Sequence, residues 1–151
     1  MAQADPDDRP TKTQKRGALD ALHAVFGAFP LAYFTLAFIT DIAYSRSYNL
    51  QWQYFSIWLI VAGLVMGGLA IFFGAVDWLV ERRRSEGRPR GSGWHILLPI
   101  VAWLLALLNA FIHSRDGWTA VVPEGLILSG IVALLMLVGA GFSTLTWRRN
   151  A

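Results

Sequence analysis

Apolar residues dominate four long stretches of this 151-residue chain, and polar segments separate them. The stretches cover about residues 18–44, 52–80, 94–113 and 122–147. A helix needs roughly 20 mostly apolar residues to cross a hydrocarbon core of about 30 Å, so all four qualify, the third near the minimum. The pattern predicts an all-α protein, an integral membrane four-helix up-down bundle at residues 18–147. Residues 1–17 and 148–151 are predicted as polar tails, the first of them disordered.

The composition agrees with a membrane location. Hydrophobic residues make up 55% of the chain and charged residues 15%, whereas a soluble domain carries about 25% charged residues. The chain has no cysteine, which excludes disulfides, thiolate catalysis and iron–sulfur ligation by cysteine. It contains no phosphate-binding Walker loop, no Gly-x-Ser-x-Gly and no His-Glu-x-x-His sequence, the motifs of common soluble enzymes. We therefore expect no independent catalytic activity.

The positive charges predict the orientation in the membrane. Of the 13 lysines and arginines, 11 precede the first stretch, lie between the second and third, or follow the fourth. The other two are Arg46 and Arg115. Because positive residues are retained on the cytoplasmic side, both termini are predicted to be cytoplasmic in a bacterial inner membrane. Membrane orientation accounts for this basic pattern, so we expect lipid and no nucleic acid as a partner.

Small or polar residues recur within each stretch at alternating steps of mostly four and three residues. A period of 3.5 residues marks the contact line between helices that pack with a left-handed crossing, and small residues allow such contacts in lipid. We call these four series the seams. In chain order they are His23, Gly27, Pro30, Phe34, Ala37, Asp41; Ser56, Gly63, Gly67, Ala70, Gly74, Asp77; His95, Pro99, Ala102, Ala106, Asn109, His113; and Gly125, Ser129, Val132, Met136, Gly139, Ser143.

The predicted topology places His23, Asp77 and His95 in the inner leaflet, facing one another. Ionisable residues inside a membrane are costly and usually face the bundle interior or a cavity. Two histidines on facing helices can ligate a b-type haem, and Gly27 and Gly74 would leave space for the macrocycle. The leading hypothesis is therefore a haem b whose iron is held by His23 and His95, with Asp77 as a neighbouring group that takes part in proton transfer.

Three alternatives remain open for this inner cluster. Two histidines and a carboxylate also suit zinc or non-haem iron. A His–Asp pair can handle protons or a quinone, because histidine titrates near neutral pH. The cluster can also be a structural hydrogen-bond network. A second polar layer is predicted in the outer leaflet (Asp41, Ser56, Asn109 and His113); there we expect the polar side chains to tie helix ends together and His113 to be an interfacial residue.

The chain resembles the bacterial membrane family known as domain of unknown function 2231 over about residues 20–147. The resemblance rests on His23 with Phe29-Pro30, Thr40-Asp41-Ile-Ala-Tyr44, Phe55-Ser-Ile-Trp-Leu59, Gly63, Gly67, Gly74-Ala-Val-Asp77-Trp78, Trp94-His95, Leu108-Asn109, Arg115-Asp-Gly-Trp118 and Glu124-Gly125-Leu-Ile-Leu-Ser129. It implies a four-helix inner-membrane protein with a remote similarity to membrane cytochromes b. The chain departs from the family in having His23-Ala24 where His-Pro is frequent, and in lacking the Gly-Gly and Tyr–His tail at its end.

Together, these observations predict a small inner-membrane electron-transfer or redox-partner subunit that carries one haem b. Its partner would be a larger membrane or periplasmic redox complex. The alternative is a non-catalytic membrane scaffold or accessory subunit of a larger complex, in which His23, Asp77 and His95 form a structural polar network.

Overall fold

A computed structural model describes residues 12–84, 94–115 and 121–150, with side chains for 21–22, 25–80, 97–115 and 121–142. These parts of the chain are helical throughout, apart from short turns. The elements are α1 (Lys12–Ser47), α2 (Leu50–Arg84), α3 (Trp94–His113), a π-helical turn (Val121–Gly125) and α4 (Leu126–Asn150). The predicted all-α class is confirmed.

Six of the eight helix ends differ from the predicted bounds, and only α3 has both ends as predicted. Two of these differences have a clear physical cause. Helix α1 begins at Lys12, inside the segment predicted as a tail, because lysine, glutamine and arginine favour a helix even where no apolar pattern reveals it. Helix α4 begins at Leu126 rather than near residue 122. Val122 has extended dihedrals (φ −114°, ψ 127°), as expected for a residue whose helical conformation is disfavoured by the following proline, Pro123.

Three helices contain segments long and apolar enough to cross a membrane: Val25–Ser47, Leu50–Val80 and Val121–Phe142. The apolar segment of α3 is shorter among the described side chains, Leu97–His113. The whole of α3 has 20 residues, which at 1.5 Å per residue gives a length of about 30 Å. Crossing of the membrane by α3 therefore stays a prediction.

A two-residue connection joins α1 to α2. Tyr48 ends α1 with a positive φ of 50°, and its amide N–H donates to the carbonyl of Tyr44 at 2.7 Å. Asn49 then caps α2, since its Oδ1 accepts from the backbone N–H of Gln51 at 3.0 Å. Such a cap satisfies a backbone donor that would otherwise have no partner. The turn therefore makes α1 and α2 an antiparallel pair.

The seams lie at the helix contacts. Helix α1 packs against α2 and α4, and α3 packs against the same two helices. Of the 21 seam positions whose side chains are described, 15 are buried. Among them are Phe34, Ala106 and Val132, which form the apolar core. The predicted contact faces are thus confirmed for this part of each helix; Pro99 is an exception and is exposed.

Two glycines on α2 allow the closest approach between helices. A Cβ atom on Gly63 would lie 2.5 Å from Cε1 of Phe34, and one on Gly67 would lie 2.8 Å from Cδ1 of Trp103. The indole N–H of Trp103 also donates to the backbone carbonyl of Leu64 at 2.9 Å. The small residues of the α2 seam therefore accommodate aromatic rings from α1 and α3.

Burial is concentrated at one end of the helices. We call this the Asp41 end, and we call the opposite end, which contains Asp77, the Asp77 end. At the Asp77 end the described side chains of residues 21–29, 71–80, 97–101 and 134–142 include none that is buried. A Cβ atom on Gly27 or Gly139 would meet nothing within 4 Å. The described side chains are therefore packed more closely toward the Asp41 end than toward the Asp77 end.

Candidate functional site

The residues of the predicted haem site belong to the Asp77 end. The side chains of His23 and His95 lie outside the described residues, so their convergence stays a prediction. Gly27, Gly74 and Asp77 are all partly exposed. The rings of Phe26 and Phe73 stack beside them, with centroids 5.6 Å apart, so α1 and α2 are in contact at this depth.

The structure brings together a different polar cluster, at the Asp41 end. Each of its five side chains is 2% exposed or less, and all four helices contribute. The members are Asp41 from α1, Ser56 from α2, Asn109 and His113 from α3, and Ser129 from α4. We call this the polar cluster. Four of them were predicted as an outer polar layer, and Ser129 was identified only as a seam position.

His113 lies at the centre of the polar cluster. Its Nδ1 is 3.0 Å from the backbone carbonyl of Asn109, one turn earlier in α3. Its Nε2 is 3.1 Å from Oδ1 of Asp41 and 3.4 Å from Oγ of Ser56. The Ser56 hydroxyl in turn donates to the carbonyl of Ala37 at 3.4 Å. The imidazole therefore connects three helices through its two nitrogens.

The carboxylate of Asp41 is held from two sides. Oδ1 faces His113, and Oδ2 accepts a short hydrogen bond from the hydroxyl of Ser129. Nδ2 of Asn109 donates to the same hydroxyl oxygen at 2.7 Å. The chain of donors thus runs from Asn109 through Ser129 to Asp41, and it ties α3 and α4 to α1. The expectation that Asp41 and Asn109 join helix ends is confirmed.

These contacts indicate where hydrogens fit between Asp41 and His113. A carbonyl oxygen only accepts, so the contact with Asn109 assigns a hydrogen to Nδ1 of His113. A hydrogen between Nε2 and Oδ1 would keep two lone pairs from facing each other, so this contact of 3.1 Å is suited to a shared proton.

The prediction that His113 is an interfacial residue is wrong, since the side chain is only 1% exposed. Its position at the end of an apolar stretch suggested the headgroup level. The period of the α3 seam carried the correct signal, because it places His113 on the same face as Ala106 and Asn109. A histidine that continues a buried series at a helix end is more plausibly buried than interfacial.

A cleft of about 320 Å³ lies between α2 and α3 beside the polar cluster. Its walls are Leu50, Gln53, Tyr54, Ile57, His113, Ser114 and Arg115. Gln53 is 3% exposed, and within the described part of the chain its Oε1 has no hydrogen-bond partner. Sequence reasoning missed this residue, because it lies in the turn of α2 that precedes the first seam position, Ser56.

An ion pair lies at the mouth of the cleft. Nη1 of Arg115 is 2.9 Å from Oε2 of Glu124, and both side chains are about 60% exposed (61% and 60%). A pair so exposed contributes at most about 1 kcal/mol. It joins the end of α3 to the turn before α4 without entering the polar cluster.

Among the described side chains, no group of three or more histidine, aspartate or glutamate residues is placed to hold a metal ion. That statement does not extend to His23 or His95. The polar cluster itself offers one imidazole and one carboxylate, both already paired with each other, and its chemistry is that of hydrogen bonds and proton exchange.

Comparison with known proteins identifies a family. No curated protein and no solved structure matches the chain. The family described as "Predicted membrane protein (DUF2231)" matches residues 19–149, which include all the apolar helices and the whole polar cluster. The suspected resemblance is thereby confirmed, and the chain belongs to this family of predicted membrane proteins.

Proposed function

We propose that this protein is a multi-pass membrane subunit that takes up and releases a proton at the Asp41–His113 pair. The observation that carries the proposal is the contact set of the imidazole, with a carbonyl at Nδ1 and a carboxylate at Nε2. Such an arrangement holds one proton between two groups of different chemistry. Ionisable residues inside membrane helices commonly form proton relays, and His113 adjoins a cleft through which a proton could be exchanged.

Other titratable or charged groups lie toward the same end of the helices among the described residues. Helix α1 carries Tyr44, which is buried, and Arg46. Arg115, at the end of α3, pairs with Glu124. Helix α2 contributes Tyr54 on the wall of the cleft.

Nitrogen-15 NMR of histidine-labelled protein in lipid nanodiscs tests this proposal. The chain has three histidines, so His113→Gln assigns the signals of His113 by their loss. We expect the proton at Nε2 of His113 to be shared with Asp41, and its signal to change when the pH of the sample is changed. In Asp41→Asn we expect Nε2 without a hydrogen, because it then accepts from the amide.

If the signals of His113 do not change with pH, the polar cluster is a fixed structural link and the proton proposal fails. The alternative function, a non-catalytic scaffold or accessory subunit, would then be favoured. Purification in mild detergent tests that alternative, which requires recovery of a stable larger assembly.

A haem b at the Asp77 end is a second candidate, as part of an electron-transfer subunit of a redox complex. The observation that favours it is the loose packing there, with open space at Gly27 and no buried side chain in the described segments around it. His23 and His95 would ligate the iron, and the haem would supply one-electron chemistry. We expect a Soret band after haem-replete expression, lost in His23→Ala and in His95→Ala but kept in His113→Ala. Purified wild-type protein without the band would exclude this candidate.

We also place the protein in the bacterial inner membrane with both termini in the cytoplasm. The distribution of lysine and arginine supports this orientation. It puts the Asp41 end, with its cleft, on the periplasmic side and the Asp77 end on the cytoplasmic side.

A further inference from the structure

The cleft between α2 and α3 lies at the depth of the lipid headgroups. Its walls include Leu50, the first residue of the apolar segment of α2, and Arg115, just beyond the end of α3. The side chains of Trp52 and Tyr54 are exposed at the same level, by 39% and 58%. Tryptophan and tyrosine are enriched where a membrane meets water. Phospholipid headgroups therefore surround the cleft in a bilayer.

Gln53 provides the cleft with a buried acceptor. The residue lines the cleft and is 3% exposed, and no donor from the described residues reaches its Oε1. A buried acceptor without a partner is costly, and native proteins usually satisfy it with water or a ligand. An occupant that carries an N–H group can form this hydrogen bond, whereas an occupant without a donor leaves Oε1 unpaired.

Arg115 provides a cation on another wall of the same cleft. Its side chain is 61% exposed, and its Nη1 donates to Oε2 of Glu124 at 2.9 Å. A guanidinium has five N–H donors in a planar fork and is well suited to phosphate. The contact with Glu124 leaves other N–H groups of Arg115 for such a ligand. The cleft thus combines a cation for a phosphate with a buried acceptor for a second headgroup group.

The rest of the α2 wall is apolar and continues toward the middle of the membrane. Leu50 and Ile57 line the cleft. Val61 and Val65 follow Ile57 at steps of four residues, which places them on the same face of the helix, and they are exposed by 41% and 56%. Acyl chains can lie along this face. The cleft volume of about 320 Å³ is at the lower limit for small-molecule sites and suits a headgroup rather than a whole lipid.

We propose that this cleft binds the headgroup of phosphatidylethanolamine. The phosphate contacts the guanidinium of Arg115, and the ammonium donates to Oε1 of Gln53. Phosphatidylcholine carries the same two charges but has methyl groups in place of the N–H groups, so it cannot donate to Gln53. Both ring nitrogens of His113 already have partners, and we assign the imidazole no contact with the lipid. The proposal therefore goes beyond the proton function and does not depend on it.

Native mass spectrometry of the full-length protein in detergent, with an equimolar mixture of these two lipids, tests the site. We expect adducts of the wild-type protein to favour phosphatidylethanolamine about tenfold, the effect of one hydrogen bond from a charged donor. Gln53→Leu removes the acceptor at nearly constant volume and should reduce the preference to less than about twofold. The matched control is Gln51→Leu, the same change at an exposed residue of α2, which should keep the preference of the wild type.

Two further variants test the rest of the site. Arg115→Gln should lower the adducts of both lipids and leave their ratio unchanged, because both lipids carry the phosphate. Ile57→Trp narrows the cleft, leaves Gln53 in place and should also lower the adducts of both lipids. It keeps the proposal testable even where Gln53→Leu does not fold.

Equal adducts of the two lipids on the wild-type protein would reject the site, because lipid that adheres without a defined contact does not distinguish N–H from N-methyl. A preference that persists in Gln53→Leu, or that is lost equally in Gln51→Leu, would show that Gln53 is not the acceptor. Unchanged adducts in Ile57→Trp would place the lipid elsewhere and also reject the site. The NMR measurement on His113 is independent of these results, so either proposal can fail without the other.

Discussion

At the Asp41 end, two side chains that can carry charge, Asp41 and His113, are fully buried and in contact with each other. Apolar packing alone does not require such residues. A buried charged pair contributes little net stability, because the desolvation of both groups opposes their attraction. Removal of one partner is much more costly, since it leaves the other charge buried without compensation. We therefore expect the loss of stability to depend on which member of the pair is replaced.

We predict that His113→Leu destabilises the protein by about 3–5 kcal/mol, because the carboxylate of Asp41 then keeps only the hydroxyl of Ser129. Asp41→Asn should cost less than about 1 kcal/mol. Its amide can donate to Nε2 of a neutral imidazole and still accept from Ser129, and hydrogen bonds in membranes contribute about 0.6 kcal/mol on average. Unfolding by SDS in mixed micelles measures both variants.

Glu124→Gln is the matched control for the carboxylate change, since Glu124 is 60% exposed and its ion pair contributes at most about 1 kcal/mol. Similar, small losses for His113→Leu and for Glu124→Gln would contradict a compensated buried pair. A loss in Asp41→Asn as large as that in His113→Leu would mean that the proton-sharing geometry, rather than the buried charge, supplies the stability.

Whole helices are positioned by the small residues of their seams. At this scale we predict that Gly63→Ala destabilises the protein by about 1–3 kcal/mol, because the added methyl group overlaps Phe34, whose ring is 2% exposed and has no free side to move into. Gly139→Ala is the control, since nothing lies within 4 Å of its added atom. It should be neutral or stabilising by up to about 1 kcal/mol, because alanine favours a helix. Equal effects in the same SDS titration would contradict close packing at Gly63.

The helices and their contact faces could be predicted from the sequence, because each follows from a pattern of neighbouring residues. Twenty apolar residues predict a span, and small residues every 3.5 positions predict its contact line. The kink at Val122 and the extension of α1 to Lys12 were less accessible, since they depend on proline sterics and on polar helix-forming residues rather than on hydropathy. The site was predicted at the Asp77 end because two histidines and an aspartate (His23, His95 and Asp77) favoured it, whereas the Asp41 end has a single histidine. The sequence alone did not show which end is more closely packed.

The sequence does not show at what depth each helix lies relative to its neighbours, or which side chains on facing helices are in contact. The Asp41–His113 contact joins residues 72 positions apart, and the seams alone do not show which of several polar side chains on facing helices will meet. Gln53 was missed because the α2 seam was begun at Ser56, although Gln53 lies one step earlier in the same period and is buried like Ser56 and Gly63. For the whole molecule, the buried polar side chains among the described residues lie toward the Asp41 end.

The orientation of the molecule decides which compartment each end faces, and the absence of cysteine makes it directly measurable. We predict that Tyr48→Cys, at an exposed turn between α1 and α2, reacts with a membrane-impermeant maleimide in intact spheroplasts. Asn150→Cys, at the end of α4, should react only after permeabilisation, because four spans return the chain to the cytoplasm. If α3 does not cross the membrane, Asn150→Cys will react from outside together with Tyr48→Cys. A reversed pattern would place the polar cluster and its cleft on the cytoplasmic side.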